Sequence, residues 1–175
     1  MRRRARPAQA LVEFALAVPL LLLVLLALID FSRLLFTYVS LADGAREMAR
    51  VGALARNSSA SAVAAFNDYT LIAGSVNPAT DQVVVTVADQ SCVVNQRQGL
   101  GCAAGSLSST TCSLPLQPSC VFPARLSAGG GYIQVDVTYS FVFNPLFQNQ
   151  LANVTDVSFM RPVVTLSTSA RANLE

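Results

Sequence analysis

The sequence contains no histidine and no lysine, so all twelve of its basic residues are arginines. These absences remove the most common general base, a frequent metal ligand and the usual amine nucleophile. The chain also has no G-x-S-x-G, phosphate-loop or HExxH motif, and its carboxylates are scattered. We therefore predict that the protein is not an enzyme and binds no cofactor. The alternative is an anchored enzyme that depends on an acid of the body, such as Asp136.

Charged residues make up only 13% of the chain, and the positive ones are concentrated at its start. Four arginines, at positions 2, 3, 4 and 6, precede a long apolar run, and the remaining eight are outnumbered by ten acids. The basic balance therefore belongs to a short leader, and the body is mildly acidic. Because nucleic-acid binding requires a basic patch on a folded surface, we predict no nucleic-acid partner.

The apolar run from Ala10 to Ile29 is twenty residues long and holds one charged residue, Glu13. As a helix it is roughly 30 Å long, the thickness of one hydrocarbon core. A cleavable secretory signal has a shorter apolar core and a polar end, whereas this run continues into a helical pattern after Asp30. We predict a single transmembrane helix over residues 9–30, with the N-terminus in the cytoplasm because the arginines precede it.

Glu13 and Pro19 are the unusual residues of this run. A carboxylate deep in a span costs about 2.5–3.5 kcal/mol, so Glu13 either reaches back to the headgroups or meets a cation from another chain. Pro19 removes one helical hydrogen bond, which predicts a kink that neighbouring groups can tolerate.

Helical periodicity continues over residues 31–56, with a stripe interpreted as intrachain core in preference to a partner surface. The stripe consists of Phe31, Leu34, Leu35, Tyr38, Leu41, Ala45, Met48 and Gly52. An unbroken helix from Gln9 to Arg56 would be roughly 70 Å long. A second, shorter helix is predicted over Ala60–Ile72.

Three later segments alternate apolar and polar residues with period two: Gln82–Ala88, Tyr132–Phe143 and Val163–Ala172. One buried and one wetted face is typical of an antiparallel sheet. The predicted fold class is α+β, with a long N-terminal transmembrane helix that continues into an extracytoplasmic domain containing a small antiparallel sheet. The predicted organisation is a leader (1–8), a transmembrane helix (9–30), a helix that continues outward (31–56) and an outer domain (57–175).

Residues 90–131 contain all four cysteines among Ser, Gly, Pro and Gln, and they are interpreted as a long loop. The cysteines are Cys92, Cys102, Cys112 and Cys120. An even count outside the cytoplasm favours two disulfides, for which three pairings exist. Short loops close most easily, which favours Cys92–Cys102 with Cys112–Cys120. A zinc site is the rival, but no CxxC pair and no histidine support it.

Taken together, residues 8–53 resemble the TadE-like pseudopilins of bacterial tight-adherence (Flp-type) pilus systems. The shared pattern is a basic leader, a small residue, Glu13-Phe14, Pro19 and a leucine run. It continues with Asp30, Arg33 and a helix containing AREMARVGA. The resemblance implies a pilin-like architecture and a single-pass protein of the bacterial inner membrane whose outer domain is extracytoplasmic.

The resemblance also implies a processing step and an assembly role. Prepilin peptidase would cut between Ala8 and Gln9, where Ala8 stands in place of the family's usual glycine. Glu13 would then lie at the fifth mature position, followed by Phe14, and would neutralise the N-terminus of an adjacent subunit. The implied partners are other pilin or pseudopilin subunits, the inner-membrane pilus assembly platform and prepilin peptidase.

The function predicted is that of a minor pseudopilin which contributes to pilus assembly or initiation and to adhesion. The alternative is a membrane anchor that crosses the bilayer once, does not polymerise, and carries an extracytoplasmic binding domain.

Overall fold

The computed structural model describes residues 7–54, 59–70, 76–123, 130–142 and 163–174, with the side chains of the first helix described from residue 10 onward. The helices are α1 (Pro7–Leu54), α2 (Ser59–Tyr69) and α3 (Gln90–Arg97), and the strands are β1 (Gln82–Asp89), β2 (Leu107–Ser113), β3 (Gly131–Val142) and β4 (Val163–Asn173). A long apolar helix followed by a small antiparallel sheet confirms the predicted α+β class.

Helix α1 is a single element of 48 residues that passes through Pro19 without interruption. Leucine and alanine, both strong helix formers, dominate its first half. It is described as far as Leu54, and the predicted end at Arg56 lies outside the described residues. α2 ends at Tyr69, whereas the prediction extended it to Ile72.

The four strands form one antiparallel sheet in the order β2-β1-β3-β4. The register pairs Val83 of β1 with Val137 of β3, and Tyr139 of β3 with Leu166 of β4. Because strand side chains alternate between faces, this register gathers the valines and aromatics of the three predicted strands on one side of the sheet. All three predictions are confirmed within two residues at their described ends; Phe143 lies outside the described residues.

The core lies between that face of the sheet and the two longer helices. Met48 of α1, Phe66 of α2 and Val135 of β3 are fully buried within it. Burial of a side chain of this size contributes about 1.5–3 kcal/mol relative to exposure. α1 packs on α2, β3 and β4, so its outer half is part of the domain rather than a separate stalk.

The predicted stripe on α1 divides into two parts. Leu41, Ala45 and Met48 are buried in the core, as predicted, but Phe31 is 55% and Leu35 47% exposed. The prediction of intrachain core was therefore wrong for Phe31, Leu35 and Tyr38, whereas Leu34 packs against the core. The reason is geometric, because a helix that passes beyond the edge of its domain keeps its apolar pattern but has no domain to cover it.

The two ends of the outer domain can be assigned from its contacts with α1. At the far end, a Cβ at Gly52 would lie 2.8 Å from the Cδ1 atom of Ile133, near the start of β3. At the near end, Leu34 packs against the core. Arg33 is also at this end, and its positive charge opposes the rise in the pKa of Tyr139, near the end of β3. We call the end beside Leu34 the base and the opposite end the distal end.

Residues 90–123 of the predicted loop contain secondary structure, so the prediction of a long loop was wrong for them. They contain α3 and β2, and Leu114 and Leu116 beyond β2 are buried in the main core. Asp89 is a sequence signal that was missed, since its side chain accepts a hydrogen bond of 2.6 Å from the backbone of Gln90 and caps α3. β2, an edge strand, carries mostly polar residues on both faces, so no apolar alternation marks it in the sequence.

Candidate assembly site on the N-terminal helix

Glu13 and Phe14 lie on the exposed surface of α1, in its first two turns. Phe14 is 69% exposed, and Glu13 is also classed as exposed. Within the described residues, no side chain of this chain pairs with the Glu13 carboxylate. An apolar surface with one unpaired carboxylate suits a surface that is completed by another molecule.

Ala8 and Gln9, the residues of the predicted cleavage site, are helical in their backbone, while their side chains lie outside the described part. Gln9 is four residues before Glu13, which places both on the same side of the helix about one turn apart. A cut at this position would therefore create an α-amine on the Glu13 side of α1.

The arginines of α1 do not provide a cation for Glu13. Each has an acidic partner three residues before it: Arg33 pairs with Asp30 at 3.6 Å, and Arg46 pairs with Asp43 at 3.2 Å. Arg50 pairs with Glu47 through two hydrogen bonds of 2.9 and 2.5 Å. Within the described residues of α1, each of these arginines is paired with an acid other than Glu13.

The four cysteines form two disulfides at opposite ends of β2. Cys92 pairs with Cys102 near the distal end, and Cys112 pairs with Cys120 near the base. These are the partners that loop length favours. The first disulfide links α3 to the chain before β2. The second links the end of β2 to the chain beyond Leu114 and Leu116, which are buried in the main core. Among the described residues, no group of three or more His, Cys, Asp or Glu is arranged to hold a metal.

Asp136 lies on the polar face of the sheet, where both of its oxygens accept hydrogen bonds of 3.0 Å from Gln134. Gln134 and Asp136 lie two positions apart on the same face of β3, so their pairing is a local surface contact. Nothing in it brings a second acid or a nucleophile to Asp136, and no catalytic arrangement follows from it.

Asp81 is a buried residue that the sequence reasoning missed. Its carboxylate accepts hydrogen bonds from the backbone of Asn77 at 2.7 Å and of Ser140 at 2.8 Å, and from the Thr80 hydroxyl at 3.1 Å. It thereby ties the turn before β1 to β3 at the base of the domain. An acid four residues after Asn77 and directly before a strand was the only available signal.

A small second core lies on the other face of the sheet at the distal end. Tyr132, on the otherwise polar face of β3, is 4% exposed and packs with Ala88 and Cys92. The Gln96 side chain donates a hydrogen bond of 3.3 Å to its hydroxyl, and the Arg171 guanidinium lies 3.3 Å from the centre of its ring. Strand alternation puts Tyr132 on the same face as Gln134 and Asp136, and α3 with its disulfide covers it there.

These features define a class of protein in which an apolar N-terminal helix continues into an α+β domain that contains disulfides. Among the described residues, the segment Ala10–Leu54 is long and apolar enough to cross a membrane, judged by length and composition. The architecture fits a single-pass membrane protein.

A comparison with known families identifies the N-terminal region. The sequence model of the family described as TadE-like protein matches residues 8–50. The match confirms the resemblance seen in the sequence and associates this region with tight-adherence pilus systems. The TadE-like family is structural rather than enzymatic. The matched region ends within α1, so the sheet and the disulfides lie outside it. Neither curated protein sequences nor solved structures give a significant match.

Proposed function

We propose that the protein is a minor pseudopilin of a tight-adherence pilus, inserted in the bacterial inner membrane through residues 9–30. The observation that carries this proposal is the exposed Glu13 on an apolar helix within a region that matches the TadE-like family. The N-terminus lies in the cytoplasm and the outer domain lies outside it. The protein contributes to the assembly or initiation of the pilus and to adhesion.

Prepilin peptidase cleaves the chain between Ala8 and Gln9 in this proposal. The cut removes the four leader arginines and creates a positive α-amine close to the Glu13 side of α1. In an assembly, Glu13 pairs with the α-amine of a neighbouring pilin or pseudopilin. Opposite charges attract each other strongly in a medium of low dielectric constant, and an unpaired carboxylate in that medium has a high free energy. The pairing therefore selects subunits whose helices meet at the same depth.

Affinity purification of the full-length protein from membranes tests this function. We expect other pilin or pseudopilin subunits and components of the assembly platform to co-purify, identified by mass spectrometry. The Glu13→Gln variant removes the charge with little change in volume, so it should insert normally but recover less of these partners. Glu47→Gln, an acid on the outer half of the same helix, is the matched control.

Equal recovery of partners with Glu13→Gln and with unaltered protein would contradict the assembly role. A protein that remains in the membrane fraction, binds an envelope component and recovers no pilin subunit would favour the alternative, a membrane anchor with an extracytoplasmic binding domain. The outer domain is the observation that keeps this alternative in view, because residues beyond 50 lie outside the family match.

A further inference from the structure

The side of α1 that faces away from the outer domain changes character along the helix. Below the change it carries Leu35 and Val39, which are 47% and 54% exposed. One turn above Val39 it carries Asp43, followed by Arg46, whose side chains are 50% and 73% exposed. The switch from apolar to charged therefore falls between Val39 and Asp43.

The outer domain begins below this switch, on the opposite side of the same helix. Leu34 packs against the main core, and Thr37 and Leu41 are buried. The base of the domain thus overlaps in height with a set of exposed apolar side chains that we call the collar. The collar consists of Phe31, Leu35, Phe36, Tyr38 and Val39, each at least 43% exposed.

The height of the base agrees with the thickness of a bilayer. A hydrocarbon core of about 30 Å takes about 20 helical residues, and each headgroup zone adds about 5–8 Å, or roughly four residues. With the core at residues 10–29, the headgroup zone takes roughly residues 30–34. The Asp30–Arg33 ion pair and Leu34, at the base of the outer domain, lie at this height. The exposed charges of Asp43 and Arg46 lie more than two turns above it.

We propose that the base of the outer domain rests in the lipid headgroup zone of the leaflet on its own side, with the lower part of the collar, from Phe31 to Phe36, in contact with lipid. This inference depends on the membrane insertion in the proposed function and adds the depth at which the domain sits. The lipid surface is favoured over a partner helix because the collar is continuous with the apolar span. The base also lies at the height that the headgroup zone takes above this span, whereas a protein partner imposes no such height.

Contact with the membrane restricts the orientation of the outer domain. α1 is continuous from the span into the core, so no hinge separates the two. With the base held at the membrane, the distal end faces outward and carries α3, the Cys92–Cys102 disulfide and Tyr132. A partner that approaches from outside would meet that end first.

The absence of tryptophan from the chain allows a direct test, since one introduced tryptophan reports on its own position. The full-length Phe36→Trp variant is reconstituted in vesicles of phosphatidylcholine and phosphatidylglycerol. A fraction of the phosphatidylcholine is brominated either near the headgroup or near the chain end. We expect a blue-shifted emission that is quenched more by bromine near the headgroup than by bromine near the chain end.

Two further variants separate the proposal from the membrane insertion on which it rests. Leu23→Trp, near the middle of the span, should be quenched most by bromine near the chain end. Leu54→Trp lies five helical turns above Phe36 on the same side of α1, at a position that is 64% exposed. It should be quenched by iodide in solution and by neither brominated lipid.

The outcomes are distinguishable. If Leu23→Trp is quenched by lipid while Phe36→Trp responds only to iodide, the domain stands away from the membrane and the proposal is overturned. If Phe36→Trp responds to neither iodide nor lipid, a protein covers the collar, and dilution of the protein in lipid shows whether that protein is a second copy. Failure of Leu23→Trp to respond to lipid would instead remove the membrane insertion itself.

Discussion

The carboxylate of Asp81 accepts a hydrogen bond of 2.8 Å from the backbone N–H of Ser140, a residue of β3 that lies 59 positions later in the chain. The other carboxylate oxygen accepts from the backbone of Asn77 at 2.7 Å. Asp81 itself is fully buried, and each of these donors would lose its partner if the acid were changed.

Replacement of Asp81 by asparagine should therefore destabilise the outer domain. The amide has one acceptor oxygen, so one backbone N–H would face an NH₂ group, at a cost of about 1–3 kcal/mol. Thermal unfolding of the full-length protein in detergent measures the loss. Asp136→Asn makes the same chemical change on the polar face of the sheet and is the control. Equal melting temperatures for the two variants would contradict the role assigned to Asp81.

The two disulfides should contribute unequally to stability. Their loops, with sequence separations of 10 and 8, are similar in length, so the chain-entropy contribution is about the same, roughly 2–3 kcal/mol each. Cys120 belongs to the main core and holds the buried segment that contains Leu114 and Leu116, whereas Cys92 belongs to the smaller distal core. Cys112→Ser/Cys120→Ser should lower the denaturation midpoint more than Cys92→Ser/Cys102→Ser does. The reverse order would contradict this assignment.

Tyr139 should make the outer domain sensitive to alkaline pH. Burial raises the pKa of Tyr139, and the nearby charge of Asp81 raises it further. The unfolded chain loses this proton near pH 10, before the folded chain does, so the stability contribution is complete below pH about 10. It is lost as the pH rises from there through the folded pKa.

Tyr139→Phe should reduce this alkaline loss, as measured by unfolding experiments at increasing pH. Tyr69→Phe, at an exposed tyrosine of α2, is the matched control and should leave the alkaline decline in place. Identical pH profiles for Tyr139→Phe and the unaltered protein would show that Tyr139 does not cause the decline.

Cleavage between Ala8 and Gln9 should depend on the size of residue 8. Ala8→Gly introduces the residue that is usual in the family at this position, so we expect a larger fraction of chains that begin at Gln9. Mass spectrometry of the N-terminus, with prepilin peptidase co-expressed, measures this fraction. Ala10→Gly is the same substitution two residues later and should leave it unchanged. Chains that all begin at Met1 in both variants would contradict the proposed processing.

Local patterns in the sequence were sufficient to predict much of the fold. The run from Ala10 to Ile29 predicted an apolar helix, and the alternation in β1, β3 and β4 predicted an antiparallel sheet with its buried face. The motifs around Glu13 led to the TadE-like family, which the match to residues 8–50 confirms. These features depend on periodicity and composition, which can be read directly from neighbouring residues.

Features that depend on distant residues were not predictable in the same way. β2 has no apolar alternation, and only its pairing with β1 identifies it as a strand. Tyr132 is buried on a polar face because α3 covers it. Asp81 has a partner 59 residues away that no local pattern indicates. For the candidate site, the sequence identified Glu13, and the structure added that no described side chain of this chain neutralises it.

The sequence by itself determined that a long apolar helix continues into an α+β domain, because helical and strand periodicities are local properties. Only the tertiary structure decided where along α1 the domain begins to cover the helix. The apolar stripe is the same at Phe31 and at Met48, yet Phe31 is 55% exposed and Met48 is buried. The difference arises because burial depends on which distant strands and helices reach each turn, and the sheet and α2 reach only the upper part of α1.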